Sequence, residues 1–358
     1  MKRALSLFCL VLVLVPSCAG KVEPLGVFGR SRMAEVLGQD GVTPVTISET
    51  VTMWTFGDTL LGSWKGEVSA SATFSDATHV ESMISNSIAF TERPTPENIG
   101  RLKFTYVKKD GRVSQVIGLK AGERAERDRL WAADGIRIED RVFVYYMRIK
   151  ISERGGPMAF KSAGTGLALW AVPAGWRVGD AVRFIRLPDL FPPDFPAFGA
   201  CVMERNGWLY TIGHYAAAGG TSPVKISRVR KGDIARGASY EFLADDGRWL
   251  GDVKRAGPFL GDVAGECSLS YNEYLKCYVI IYCQLYTGRI IMARFRDFEG
   301  LGSAKKEVLY SPPPVADKGR GALSLYYSGK EILVSGRTLF AIYIHPLEYQ
   351  PYLLKIRL

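Results

Sequence analysis

The sequence has few of the residues on which many enzyme sites depend. Its 358 residues include three His and six Cys, without a CxxC pair, so a zinc site built from Cys and His is not expected. It also lacks the GxSxG, P-loop, dinucleotide-binding and HExxH motifs. These absences remove the strongest short signatures of serine hydrolases, nucleotide-binding proteins and metalloproteases, and they leave carboxylates as the candidate chemistry.

Long apolar runs are missing after the N-terminus, so no later membrane span is expected. Lys2 and Arg3 precede the apolar run 4–15, which is too short to cross a bilayer as a helix but suits the core of a signal peptide. Ser17 followed by Cys18 resembles a bacterial lipobox, in which the Cys is lipidated and becomes the new N-terminus. We therefore expect a lipid-anchored protein of the bacterial cell envelope, on the periplasmic side or the outer surface. Simple secretion and an uncleaved anchor are the alternatives.

Dense basic clusters are also absent. Removal of residues 1–17 takes away two of the 46 basic residues and leaves a net charge of +8, which is spread along the chain. Nucleic-acid binding needs a concentrated basic face, so no nucleic-acid partner is expected. The diffuse charge indicates a solvated basic surface, or one that favours approach to an acidic polysaccharide.

Four cysteines follow Cys18, at Cys201, Cys267, Cys277 and Cys283. Cys267 and Cys277 lie in adjacent predicted strands, which would allow them to pair. The sequence alone does not give the connectivity of four Cys.

Helical patterns are scarce, and the best helix candidate is the short segment 31–37. A repeat is present instead, in which an apolar run, a polar turn and a second, Tyr-rich apolar run recur. The copies are 39–58, 134–149, 199–215, 265–283 and 321–337. The last four begin at steps of 66, 66 and 56 residues, measured from Asp134, and each copy is followed by further strand-like segments.

About four strands per copy is the content of a propeller blade. The sequence therefore predicts an all-β fold, a five-bladed β-propeller with four-stranded blades over residues 38–358. It would be preceded by a signal peptide, residues 1–17, and a tether, residues 18–37. A two-sheet sandwich is the main alternative, although a sandwich does not need a repeat.

In several copies of the repeat, a carboxylate residue lies at the start of the first apolar run. Asp40, Asp134 and Glu266 hold these positions, and the other two copies have Gly199-Ala200 and Gly321-Ala322 there. Innermost propeller strands begin at one mouth of the central channel, so these acids would meet. Repulsion and burial raise the pKa of at least one acid in such a cluster, which favours the acid/base pair of glycoside hydrolysis. Ca²⁺ binding, a structural role and a chance alignment are the alternatives.

The order of several motifs resembles a known family. These are "QDGVTPVTISETVTMWTFGDT", "NSIAF", "WAADGIRIEDRVFVYY", "GECSLSYNEYLKCYVIIY" and "ARFRDFEG", followed by "KKEVLY". Together they are similar to the bacterial domain of unknown function 4185, part of which is known as the endo-D-arabinofuranases of glycoside hydrolase family 183. The resemblance covers most of residues 38–310. It implies a five-bladed propeller that cleaves a furanoside polymer such as D-arabinan.

The same resemblance implies roles for single residues. Asp40 and Asp58 match the family's paired acids, with Asp40 expected to be the base or nucleophile. Asp134 would tune a pKa or orient the sugar, and Glu266 would be the general acid. Asp58 is either catalytic or the residue that holds the Asp40 turn through backbone N–H groups.

Four other residues are candidates for substrate contact or for the core. Trp131 precedes Asp134 and would stack on a sugar at the channel mouth. His214 would reach substrate hydroxyls from the rim, or serve as a structural His. Asn86 would bond either a sugar or the neighbouring blade, whereas Trp54 alternates within a strand and is expected in the core.

We therefore predict a secreted glycoside hydrolase that acts on a polysaccharide by carboxylate acid/base catalysis. Its membrane contact would be through the N-terminal lipid only. No organic cofactor is expected, although Ca²⁺ in the channel is compatible with the acids. The alternatives are a non-catalytic glycan-binding or surface-interaction propeller, and a phosphorylase or transferase with an anion pocket near His214 and Arg294.

Overall fold

The computed structural model describes residues 22–29, 35–64, 78–151, 160–214, 223–315 and 326–358. In these ranges the regular structure is β-strand with short 3-10 turns and no α-helix, so the all-β prediction is confirmed. The strands are rich in the β-branched and aromatic residues that fit a pleated sheet. In Arg141–Ile151, five consecutive residues from Val142 to Tyr146 are buried, because both faces of the strand lie inside the molecule.

The first strands are β1 (Val22–Val27), β2 (Val36–Gln39), β3 (Thr43–Thr46), β4 (Val51–Phe56), β5 (Thr59–Trp64), β6 (Thr78–Ile84), β7 (Ser87–Glu92), β8 (Thr105–Tyr106), β9 (Lys108–Lys109) and β10 (Arg112–Val113). There follow β11 (Asp128–Ile138), β12 (Arg141–Ile151), β13 (Phe160–Ala171), β14 (Ile185–Arg186), β15 (Cys201–Arg205), β16 (Trp208–His214), β17 (Val224–Arg230), β18 (Glu241–Leu243) and β19 (Trp249–Leu250). The last are β20 (Val263–Asn272), β21 (Cys277–Gln284), β22 (Ile290–Phe295), β23 (Lys305–Tyr310), β24 (Tyr327–Ser335), β25 (Thr338–His345) and β26 (Gln350–Arg357). The 3-10 turns are Ile99–Arg101, Lys231–Asp233, Gly237–Ser239, Val253–Arg255 and Leu301–Ser303.

Antiparallel sheets of four or five strands succeed one another along the chain. Their strand orders are β3-β4-β7-β8, β11-β12-β13-β14, β15-β16-β17-β18-β19, β20-β21-β22-β23 and β24-β25-β26-β1. The first strand of each sheet contacts that of the next, from β3 through β11, β15, β20 and β24, and β24 also contacts β3. The sheets therefore follow one another around a common axis, as blades do in a propeller.

The first described strand completes the last sheet. β1 pairs antiparallel with β26, with Val22 opposite Ile356 and Val27 opposite Tyr352. The prediction of a tether over residues 18–37 is thus wrong for residues 22–27, because their backbone groups cover the edge of a sheet. The signal peptide and Cys18 lie outside the described residues. No described helix has the length and apolar character that a membrane crossing requires.

The predicted helix 31–37 is also corrected. Its described end belongs to β2, where Val36 and Leu37 are buried. β2 pairs with β5, and β5 pairs with β6. Two strands of this additional sheet, β5 and β6, lie between β4 and β7 in the chain, which explains the long interval between the first two repeats.

The core lies between neighbouring sheets. Trp54 is fully buried and packs against Phe28 and Phe104, with ring centroids 5.1 and 5.7 Å away. Its indole N–H donates to Thr91 Oγ1 at 2.8 Å. Trp54 is therefore a core residue, as the strand alternation indicates.

The described cysteines are free thiols. Cys267 lies opposite Tyr282, and Cys277 lies opposite Asn272, so these two cysteines are not cross-strand neighbours and do not pair.

Candidate active site

Two strand ladders bring Asp40 and Asp58 to one place. Gln39 pairs with Thr59 before the site, and Thr43 pairs with Thr55 after it. Between these pairs, the Asp40 N–H donates to the carbonyl of Asp58 at 3.3 Å, and the Gly57 N–H donates to the carbonyl of Asp40 at 2.9 Å. The two acids are therefore held side by side by their own backbones.

Glycines give this stretch its shape. Gly41 has φ of +63°, in the left-handed region that favours glycine. At Gly57 a Cβ would lie 2.5 Å from Asp40 Oδ1, so any side chain there would displace the carboxylate. The Asp-Gly and Gly-Asp turns of the sequence thus leave room for the acids.

Asp40 is held by two tyrosines from the far end of the chain. The hydroxyls of Tyr327 and Tyr349 donate to Asp40 Oδ2 at 3.0 and 2.9 Å. Burial, reinforced by the negative charges of Asp58 and Glu266, raises the pKa of Asp40 to about 7, and the two tyrosine hydroxyls oppose this shift. Because both tyrosines use Oδ2, a proton on Asp40 belongs on Oδ1.

Asp58 is held by an indole. Trp131 Nε1 donates to Asp58 Oδ1 at 3.0 Å, and the Trp131 ring meets Phe160 edge to face at 4.9 Å. Burial raises the pKa of Asp58 to about 6, against the effects of Trp131 and the positive charge of Arg129. Among the described residues no backbone N–H donates to this carboxylate, so the turn-holding alternative for Asp58 finds no support.

Asp134 joins two sheets. It lies at an irregularity of β11, and its carboxylate accepts the N–H groups of Gly135 and Val202, both at 2.6 Å. Burial raises the pKa of Asp134 to about 7, and the two backbone N–H groups and the charge of Lys330 oppose this shift. Both oxygens are occupied, which suits a residue that positions the site more than one that exchanges a proton.

Glu266 is held in a buried ion pair. Its Oε2 lies 2.6 Å from Lys330 Nζ, and the side chains of Lys330 and Glu266 are 2% and 9% exposed. Lys330 Nζ also donates to Thr43 Oγ1 at 2.7 Å. Lys330 thus occupies one oxygen of Glu266, which favours another acid of the site as the proton donor, and the general-acid role expected of Glu266 stays a prediction.

The four predicted acids share one electrostatic site. Asp58 and Glu266 act on Asp40, and Glu266 also acts on Asp134. His214 is half-buried near Glu266; desolvation of the ring lowers the pKa of its imidazole, and the charge of Glu266 opposes that shift. Trp131 and His214 thus lie at the site, and their contact with a substrate stays a prediction.

Asn86 takes the second of its two predicted roles, the bond to a neighbouring sheet. It is fully buried, and its amide nitrogen donates to the carbonyls of Ile117 and Leu130 at 3.1 and 2.9 Å. Its oxygen accepts the N–H groups of Val116 and Ile117 at 3.0 and 2.8 Å. All of its bonding capacity is used by the backbone, so Asn86 links chain segments and does not bind substrate.

Three residues of the site escaped the sequence analysis. Tyr327 and Tyr349 look like ordinary strand aromatics, and nothing in the sequence ties them to Asp40. Lys330 does carry a signal, since "GKE" places two charges inside an apolar strand that begins the last sheet. A charge at such a position faces the axis and needs a partner there.

The acids do not fit the predicted alternative of Ca²⁺, which takes six to eight oxygen ligands. Glu266 is paired with Lys330, and both oxygens of Asp134 accept backbone N–H groups. In the part of the chain that the structure describes, no three His, Cys, Asp or Glu side chains are grouped to hold a metal ion.

Comparisons with known proteins agree with this architecture. A family model described as "Domain of unknown function (DUF4185)" matches residues 32–355. The crystal structure of a protein of Bacteroides ovatus, assigned provisionally as a hydrolase, is 16% identical, with 91% of this chain and 87% of that chain covered and a TM-score of 0.67. This likeness shows a shared fold. Comparison with curated protein sequences gave no match.

Glycoside hydrolases are also among the structural neighbours, at lower similarity. A family 43 enzyme of Xanthomonas citri, complexed with xylose, is 11% identical, with 94% of this chain and 90% of that chain covered and a TM-score of 0.48. A family 32 β-fructofuranosidase of Bombyx mori is 10% identical, with 92% of this chain and 61% of that chain covered and a TM-score of 0.48.

Proposed function

The chain belongs to the DUF4185 family, and we propose that it is a glycoside hydrolase in which Asp40 and Asp58 form the catalytic pair. One observation carries the proposal. The backbones of Asp40 and Asp58 hold the two carboxyls side by side, and burial raises the pKa of both, that of Asp40 further through the charges of Asp58 and Glu266, so the pair holds a proton near neutral pH. Two carboxyls whose environments separate their proton affinities are the pairing that glycoside hydrolysis requires.

In this mechanism Asp40 is the general acid, instead of the base or nucleophile that the family resemblance implies. Its proton on Oδ1 goes to the glycosidic oxygen as the bond to the anomeric carbon breaks. Asp58, ionised and oriented by Trp131, either attacks the anomeric carbon or takes a proton from the attacking water. The separation of the carboxyls around the bound sugar decides between retention and inversion, which the anomeric form of the first product reports.

Glu266 and Asp134 support this pair. The charge of Glu266 raises the pKa of Asp40 and so helps to keep its proton near neutral pH. Lys330 fixes the Glu266 carboxylate in place through the ion pair. Asp134 fastens β11 to the segment that begins β15, which holds neighbouring sheets in register around the site.

We extend the proposal to architecture, substrate and location. The successive sheets form a five-bladed β-propeller that β1 closes. The substrate is a furanoside polysaccharide such as D-arabinan, which the family resemblance suggests and the half-buried indole of Trp131 suits. The protein acts in the bacterial cell envelope, anchored through a lipid on Cys18.

The function is tested by incubating the mature chain with D-arabinan, arabinogalactan and fructan and measuring released reducing ends. We expect release from a furanoside polymer by the native protein and none by Asp58→Asn. Absence of release from every polymer, together with retention on an immobilised polymer, would favour the non-catalytic glycan-binding propeller instead.

The pH dependence of kcat/KM gives a further prediction. The active form needs Asp58 ionised and Asp40 protonated, so activity should rise as pH increases through about 6 and fall as pH increases through about 7. Because Asp40 and Asp58 interact, the two pKa values read from the limbs of the pH profile describe the pair and not either residue alone. Initial rates from acidic to alkaline pH, with circular dichroism at each pH to exclude unfolding, check the profile. A rate that stays flat into the alkaline range would contradict it.

A further inference from the structure

Two buried cysteines meet at the boundary between neighbouring sheets. Cys201 begins β15 and Cys267 lies in β20, and these are the first strands of their sheets. Both side chains belong to the apolar cluster that fills the boundary between the two sheets. Both also line a cavity of about 290 Å³, together with Asp134 and Lys330. The two cysteines therefore approach each other from opposite sides of one boundary.

The thiols of Cys201 and Cys267 are near enough to interact. Burial, followed by the hydrogen bond with the Cys267 thiol and the charge of Cys267, raises the pKa of Cys201 well above its usual value. A disulfide joins Cα atoms that lie about 4.4–6.8 Å apart. Only strands in direct contact reach this separation across a sheet boundary, and β15 and β20 are in direct contact.

The other two described cysteines lie on the opposite face of the sheet that begins with β20. Cys283 is buried in the cluster between this sheet and the last one, and Cys277 packs against the same cluster. The sheet therefore separates them from Cys201 and Cys267. Cys277 and Cys283 stand six positions apart in β21, about 20 Å along the strand, so they cannot pair with each other.

We propose that Cys201 and Cys267 form a disulfide that ties the two sheets together as the exported chain folds. Disulfides persist in oxidising compartments outside the cytosol, so the inference rests on the proposed location but not on the proposed hydrolysis.

The bond forms by exchange with a disulfide oxidant such as oxidised glutathione. The thiolate of one cysteine attacks the oxidant and displaces one of its thiols. The second thiolate then attacks the mixed disulfide, closes the S–S bond and releases the other thiol. Two electrons and two protons pass from the cysteines to the oxidant. Because burial leaves little Cys201 thiolate in the folded protein, the exchange takes place before the two sheets close.

The bond lies next to two acids of the candidate site. Cys201 precedes Val202, whose N–H donates to Asp134 at 2.6 Å, and Cys267 directly follows Glu266. The disulfide therefore fixes the segment that holds Asp134 relative to Glu266.

Mass spectrometry of the refolded chain tests the bond. The mature chain with Cys18→Ser keeps four cysteines and is refolded from denaturant with reduced and oxidised glutathione, after which free thiols are alkylated in denaturant. We expect alkylation of Cys277 and Cys283, and proteolysis should yield two peptides joined through Cys201 and Cys267 that dithiothreitol separates. Dithiothreitol should also lower the Tm by about 5 °C, because the bond constrains the unfolded chain.

Cys201→Ala and Cys277→Ala are the matched variants. Cys201→Ala should leave Cys267 open to alkylation and abolish the effect of dithiothreitol on the Tm, whereas Cys277→Ala should keep the linked peptides and that effect. If a variant fails to fold, the peptides of the four-cysteine chain still decide the question. Alkylation of all four cysteines after oxidative refolding, or a bond that involves Cys277 or Cys283, would overturn the proposal.

Discussion

Asp58→Asn is expected to lower kcat on the polysaccharide by about 10⁴-fold, the scale seen when a nucleophile or its activating base is lost. The change keeps the size of the side chain and its contact with Trp131. It removes the negative charge that attacks the anomeric carbon or activates water. Since this step is needed for every substrate, the loss should be equally large on an aryl furanoside with a good leaving group.

Asp40→Asn provides the internal comparison. General acid catalysis contributes about 10²–10⁴-fold, and a leaving group that departs as a stable anion does not need the proton. We therefore expect a loss of about 10³-fold on the polysaccharide and a much smaller loss on the aryl furanoside. Equal losses for Asp40→Asn on both substrates, or a leaving-group effect seen for Asp58→Asn instead, would contradict the assigned roles.

Lys330→Met is expected to lower the free energy of unfolding by about 3–5 kcal/mol, the usual result when one partner of a buried ion pair is removed. The change leaves the Glu266 carboxylate uncompensated beside Asp134 and Asp40. Urea unfolding followed by tryptophan fluorescence measures the loss, and the midpoint should fall while the slope stays constant.

The double variant Lys330→Met/Glu266→Gln should regain most of this stability, because neither charge then remains buried. Lys276→Met is the matched control: Lys276 pairs with Glu273 at 3.1 Å, but the two side chains are 72% and 74% exposed, and such pairs contribute less than about 1 kcal/mol. If Lys330→Met and Lys276→Met lower the free energy of unfolding equally, Lys330 does not neutralise Glu266 in the way that the site requires.

The sequence alone predicted which acids meet. The repeat placed Asp134 and Glu266 at equivalent points of two sheets that are separated by a third, and the turns around Asp40 and Asp58 marked ends of neighbouring strands. These signals are local, so they can be recognised in a single sequence. The contacts between the first strands of neighbouring sheets then bring such remote residues together.

The roles of the acids could not be read in the same way. They depend on Lys330 beside Glu266 and on Tyr327 and Tyr349 beside Asp40, and these partners lie far away in the chain. Register shifts in β11 and β20, next to Asp134 and Glu266, set the direction of these side chains. No residue pattern in the sequence predicts such register shifts.

The two roles left open for Asn86 and the error over residues 22–27 have physical causes. Asn86 lies in a short polar segment between strands, which suits substrate contact and backbone linkage equally until its partners are known. Residues 22–27 look like a tether because their strand has only one neighbour, and an edge strand lacks the strong apolar pattern of an inner one.

The most direct test of the account is a ¹³C NMR titration of the aspartate side-chain carboxyls, with Asp40→Asn and Asp58→Asn used to assign the two signals. We expect the Asp40 carboxyl to titrate near pH 7 and the Asp58 carboxyl near pH 6. If both titrate below about pH 5, within the range of ordinary aspartates, no proton is available on Asp40 at neutral pH and the proposed acid/base pair is contradicted.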